Sequence, residues 1–210
     1  MNKAVALTCA VLALQVSAVG WLVWRYERIV RNGTEVRLKC RAYDPYDPLR
    51  GRYLGMTVSE ECTNILFKVT KEHLWRRPDE KTFAKLVKTP DGDGLYRVDA
   101  IAREPTDDGL WVKPESVCIR HALGYGDKKP DESDDEFEVR CNKAGFKAVL
   151  SFPDQLFVNE KIAPEAEKLL RKKSDSAVAV YRAYGGRIVL TDIEIAGKPI
   201  LAAVTEGRQN

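Results

Sequence analysis

The sequence predicts a mainly β (α+β) fold, in which a single N-terminal transmembrane helix is followed by a β-rich soluble domain with one or two short helices. Three observations predict it. An uncharged apolar run extends from Ala4 to Trp24. Behind it, short stretches of alternating apolar and polar residues recur between turns rich in Gly, Pro and Asp. One later segment, residues 164–173, carries a full helix pattern. The chain therefore divides into an anchor, 1–31, and a soluble domain, 32–210.

The apolar run has Thr8, Gln15 and Ser17 as its only polar side chains. About 20 such residues, as a helix, cross a hydrocarbon core of about 30 Å while satisfying their own backbone hydrogen bonds. Trp21, Trp24 and Tyr26 cluster at its end, where amphipathic rings favour the interface, and Arg25 and Arg28 follow. Val16-Ser17-Ala18 has the small residues of a cleavage site, but the apolar run continues past it, which favours an uncleaved anchor. Cys9 has too short an apolar run before it to be a lipoprotein cysteine. The expected location is a single-pass membrane protein touching the lipid bilayer through residues 4–24. Its side is contested within the sequence. Arg25, Arg28 and Arg31 after the helix outweigh Lys3 before it, which by positive-inside counting leaves the domain in the cytoplasm. The charged start and long apolar core are those of a signal-anchor, and the dispersed cysteines also point outward. The expectation is a periplasmic or other extracytoplasmic domain.

Hydrophobic residues at 44% and charged residues at 31% suit a folded domain. A net charge of +3, with Lys and Arg interspersed among Asp and Glu, argues against nucleic acid.

The soluble part opens with Glu35–Tyr43, where Val36, Leu38, Cys40 and Ala42 alternate with charged residues as in a half-buried strand. Asp44-Pro45-Tyr46-Asp47-Pro48 breaks it, and extended character resumes from Gly51 to Val58. Residues 60–80 are ambiguous, with Leu66, Phe67, Leu74 and Trp75 as anchors. Residues 82–89 fit either a helix or a strand. The strong turn Asp91-Gly92-Asp93-Gly94 and the strand pattern of Leu95–Ile101 favour a hairpin. Residues 110–112 and 117–119 are short extended runs. Asp127–Glu136 reads as a mobile acidic loop, and Phe137, Val139 and Cys141 alternate as a strand, with another at 147–152. Pro164 opens a helix with acids early and bases late, matching the helix dipole. Residues 177–183 and 187–195 form a hairpin about Tyr184-Gly185-Gly186, and Gly197 turns into a short tail.

Cys40, Cys62, Cys118 and Cys141 lie in the soluble part and none form a C-x-x-C pair. Two disulfides, in any of three connectivities, would suit an oxidising compartment. Buried free thiols are the alternative. No catalytic set emerges. His73 and His121 are far apart and lack a metal pattern, no serine occupies a Ser/Lys hydrolase setting, and no phosphate-binding loop is present. The Asp91–Gly94 turn and the Asp131–Glu136 run could attract Ca²⁺, but the spacing of a calcium loop is absent. No metal and no cofactor is expected.

The segment DPYDPLRGRYLGMTV resembles the signature of the GDYXXLXY family of bacterial membrane-anchored proteins. Asp44, Pro45, Asp47, Pro48, Leu49, Arg50, Gly51, Tyr53 and Leu54 match its motif. PDGDGLYRVDAIAREPTDDGLWVKP is similar to the family's central hairpin, and FPDQLFVNE through GGRIVLTDIEIAGKP to its C-terminal part. Arg52 stands in place of the motif Asp, Met56 of the second Leu and Val58 of the last Tyr. The resemblance implies an anchored envelope protein beside a polytopic membrane partner, and assigns no reaction. In physical terms the motif is a rigid corner: the prolines hold it, Arg50 can pair with Asp44 or Asp47, Gly51 allows close approach, and Tyr53 packs in the next strand. The expected function is a non-catalytic binding or assembly module. The alternative is an envelope enzyme or small-ligand sensor with its site near Asp44–Tyr53.

Overall fold

The computed structural model describes residues 3–42, 53–67, 82–123, 127–129 and 131–207. Helix α1 (Lys3–Asn32) is 30 residues long. At about 1.5 Å per residue it is a rod of about 45 Å. It is long and apolar enough to cross a membrane, and its most apolar stretch is 0% buried against the rest of the chain. The helix does not stop at Trp24, where the apolar run ends, but continues to Asn32.

The strands are short. β1 (Thr34–Lys39), β2 (Arg41–Ala42), β3 (Tyr53–Thr57) and β4 (Ser59–Cys62) come first, then β5 (Phe83–Lys88), β6 (Tyr96–Ala102), β7 (Leu110–Val112) and β8 (Ser116–His121). Helix α2 (Asp134–Ala144) precedes β9 (Phe146–Ser151) and β10 (Gln155–Phe157). Helix α3 (Ala163–Lys172) leads to β11 (Ala177–Tyr184), β12 (Arg187–Ile195), β13 (Lys198–Pro199) and helix α4 (Ile200–Gly207). These strands form sheets in the orders β1-β11-β12-β13, β10-β3-β2, β4-β9-β8 and β6-β5-β7. All four contribute to one continuous core that includes Leu38, Leu54, Leu86, Leu150, Tyr181 and Ile193. The fold is the expected mixture of an N-terminal apolar helix and a β-rich domain.

Both predicted hairpins form. Residues 83–88 are a strand, with Lys88 opposite Tyr96. Asp93 closes the intervening turn, its Oδ1 accepting from Thr89 Oγ1 at 2.6 Å and from the Leu95 amide at 2.9 Å. The tip between β11 and β12 is Gly185-Gly186, with φ of 56° and 75°. Two consecutive positive φ values suit the twist of a two-residue hairpin, and glycine reaches them without a Cβ penalty. Further along β12 the expected alternation slips at Thr191. Val180 faces Asp192 while Tyr181 faces Leu190, so Thr191 is an extra residue, and its Oγ1 donates to the Val180 carbonyl at 3.0 Å.

Four expectations are corrected. Phe137, Val139 and Cys141 are helical, not a strand. Ser133 caps α2 and Glu136 returns the bond to the Ser133 amide, a reciprocal cap that decides the conformation. Phe137 and Cys141, four residues apart, are the buried face, while Val139 is exposed. The acidic stretch before it is correspondingly engaged: Glu132 pairs with Arg140 at 2.6 Å and Asp134 with Lys128 at 2.5 Å. The tail after Gly197 forms β13 and α4, which buries Ile200 and Val204. Leu66, expected as an anchor, is exposed, and Ile65 instead bridges to Ile101. Leu74 and Trp75 lie outside the described residues.

Candidate functional site

Of the predicted corner, Tyr53 is described; Asp44, Pro45, Asp47, Pro48, Arg50 and Gly51 lie outside the described residues. Tyr53 starts β3 opposite Phe157 of β10, their rings tilted at 55° with centroids 6.1 Å apart. Behind it Leu54, Met56 and Val58 are almost fully buried, while Thr57 is exposed. Met56 and Val58, two of the three departures from the signature, are therefore core residues, and the third, Arg52, lies outside the described residues.

A second feature forms where α1 meets the domain. Ile29 is 5% exposed, packed under the sheet, and the Gly33 amide donates to the Ile29 carbonyl at 2.9 Å. Gly33 lies so close to β11 that an added Cβ would stand 2.4 Å from the Ile29 carbonyl oxygen and 3.1 Å from the Ala183 nitrogen. Arg182 holds the junction from the strand side, donating to the Gly33 carbonyl at 3.2 Å and to Glu35 at 3.0 Å. One turn back, Arg28 donates to the Tyr184 hydroxyl at 3.2 Å and lies over the rings of Trp24 and Tyr184 at 5.4 and 5.3 Å. This combines a hydrogen bond with cation–π attraction.

Beside this junction lies a cleft of about 530 Å³ between α1 and the β11–β12 tip. Leu22, Ile29, Phe83 and Ile188 give it apolar walls. Arg25, Lys113 and Arg187 supply cations, and among the described residues no Asp or Glu lines it. The Lys113 amide donates to the Gly186 carbonyl at 2.8 Å, which ties the segment after β7 to the hairpin tip and so fixes Lys113 beside Arg187. The chemistry of the cleft is that of an anion site with an apolar floor.

A family model described as GDYXXLXY protein matches residues 15–193, from within α1 to β12. The chain belongs to the GDYXXLXY family. No curated protein and no solved structure matches it significantly.

In this GDYXXLXY protein Cys40, Cys62, Cys118 and Cys141 stand as free thiols, the second of the two alternatives open to them. Geometry separates two of them. Cys62 on β4 faces Ala148 and Cys118 on β8 faces Val149, on opposite sides of β9. Two strand spacings are about 10 Å, against a Cα limit of about 7 Å for a disulfide. Cys40 and Cys62 behave as small buried hydrophobes, and burial pushes both thiols up, Cys40 to about 12.

That value carries a pH prediction. Below pH 9, the ordinary value, the Cys40 thiol is protonated in both folded and unfolded chains, and its contribution is whole. Between pH 9 and 12 only the unfolded chain releases the proton, so stability is lost as pH rises. The expected loss is about 1.4 kcal/mol per pH unit over that window. Denaturant titrations at rising pH should show a shallower alkaline decline in Cys40→Ala than in the natural chain. Equal slopes would remove Cys40 as the cause.

Among the other residues weighed from sequence, His121 stacks on Phe146 with centroids 5.0 Å apart, and His73 lies outside the described residues. Among the described residues, no three of His, Cys, Asp and Glu converge as a metal-binding group. The cleft of the GDYXXLXY protein was missed by sequence reasoning. Its cations sit at positions 25, 113 and 187, and only Arg25 carried a local signal, the aromatic residues around it.

Proposed function

We propose that this GDYXXLXY protein is a membrane-anchored, non-catalytic binding or assembly module that works beside an integral membrane partner. Ala4–Trp24 of α1 crosses the bilayer and the domain stands on the extracytoplasmic side. The observation that carries this reading is the docking of α1: the same helix that holds the apolar run continues through Arg28 and Ile29 into packed contact with β11 and β12. A domain held in that way stays next to the membrane surface, which raises its effective concentration toward any partner in the same bilayer. The signal-anchor character of the N-terminus supports the chosen side; the free thiols withdraw the support the cysteines had lent it.

Photo-crosslinkers placed along Ala4–Trp24 in intact membranes should trap one polytopic protein from adjacent positions on one helix face. A chain that yields no adduct from any position overturns the partner reading. For the side, Asp91→Cys in the exposed β5–β6 turn should react with an impermeant maleimide before cells are lysed. Protection until lysis places the domain in the cytoplasm.

A further inference from the structure

We infer that the cleft between α1 and the β11–β12 tip is a binding site for the phosphate headgroup of an anionic phospholipid. The inference rests on the reading of α1 as a membrane span.

Position argues first. Leu22 lies in the last turn of the apolar run and Arg25 one turn beyond it, and both line the cleft. Trp21 and Trp24, with rings 5.2 Å apart and exposed, mark the same level of the helix. Aromatic pairs of this kind sit among lipid headgroups. The cleft therefore begins at the edge of the hydrocarbon and extends into the headgroup layer.

Charge argues second, through a contrast among neighbours. Arg28 is engaged by Tyr184 and Trp24, Arg31 by Glu27 at 2.5 Å, and Arg182 by Glu35. Among the described residues, Arg25, Lys113 and Arg187 make no ion pair, and all three line the one cleft. They come from three segments far apart in sequence, so the fold gathers them. A guanidinium presents paired N–H donors that match phosphate oxygens, and a lysine adds a compact charge. Phosphate alone would not use Leu22, Phe83 or Ile188. A phospholipid would: its phosphate meets the cations while its glycerol and upper acyl carbons cover the apolar walls. A volume of about 530 Å³ is in the range of ligand pockets and suits a headgroup, not a macromolecule.

The test uses the full chain in detergent micelles, with native mass spectrometry to count bound lipid during titration with phosphatidylglycerol or phosphatidylcholine. Phosphatidylglycerol should be retained about tenfold more tightly or better. Arg25→Gln/Lys113→Gln/Arg187→Gln should abolish that preference, and each single change should weaken it roughly fivefold. Lys88→Gln/Arg97→Gln/Lys143→Gln removes the same charge from exposed positions elsewhere and should leave the preference intact. Equal retention of the two lipids, or loss of preference in both triple variants alike, overturns the site. Displacement of the lipid by excess inorganic phosphate makes it a site for a soluble anion and overturns the lipid assignment. A chain that retains the anchor in vesicles of pure phosphatidylcholine yet shows no preference fails here alone. A chain that never enters vesicles fails as an anchor and takes this site with it.

Discussion

Replacing Tyr181 with alanine is expected to destabilise the domain by about 4 kcal/mol. Tyr181 is 0% exposed at the centre of β11, opposite Val36 on one side and Leu190 on the other. Its ring packs against Phe152 with centroids 6.3 Å apart, and its hydroxyl donates to the Pro153 carbonyl at 2.8 Å. Alanine would leave a cavity that antiparallel neighbours on both sides cannot close, and would strand the Pro153 carbonyl. Tyr181→Phe keeps the ring and loses only the hydrogen bond, so it should cost about 1–2 kcal/mol. Denaturant unfolding followed by circular dichroism measures both. If the two variants lose the same stability, the cavity contribution is absent and the packing described for Tyr181 is wrong. The consequence is large because a whole domain is stable by only about 5–15 kcal/mol.

The second large effect is expected at Gly33. A methyl group there would stand 2.4 Å from the Ile29 carbonyl oxygen, closer than real Cβ atoms approach, and 3.1 Å from both the Ala183 nitrogen and the Arg182 Cβ. Two of these are backbone atoms that cannot rotate aside. Gly33→Ala should therefore force the end of α1 away from β11, at a cost of about 3 kcal/mol. Amide exchange at Arg28–Asn32 should quicken as the contacts of Ile29 and Arg28 loosen. Gly20→Ala is the internal control, because nothing lies within 4 Å of the added carbon. It should leave exchange at the junction normal and, by helix propensity, stabilise α1 by up to about 1 kcal/mol. Normal exchange at the junction of Gly33→Ala would mean that α1 is not held there as described.

Local chemistry decided which elements were legible in the sequence. The β11–β12 hairpin was legible because Gly185-Gly186 supplies a conformation that few other residues adopt. The β5–β6 hairpin was legible from Asp91–Gly94, although 83–88 alone fits a helix as well. Alternation at 137–141 misled, since Phe137 and Cys141 are also a helical i, i+4 pair. The Ser133/Glu136 cap was the stronger signal, present but not used. The continuation of α1 beyond Trp24 was hidden because its last turns, from Arg25 to Asn32, look like a polar linker; Ile29 is what buries them. The corner's Tyr53 stood in a strand as expected. The cleft was illegible for a different reason: positions 25, 113 and 187 become neighbours only when the Lys113 amide meets the hairpin tip.

The unbroken α1 has a mechanical consequence. With no hinge between Ala4 and the packed Ile29, the domain cannot swivel on its stalk. Once α1 is placed across a bilayer as proposed, any change in helix tilt becomes a displacement of the whole domain. A rod of about 45 Å leaning by about 20° carries its upper end about 15 Å sideways. Helix tilt follows bilayer thickness. A thinner or thicker membrane would thus swing the domain like a needle on a dial, converting a property of the lipid into the position of a protein surface.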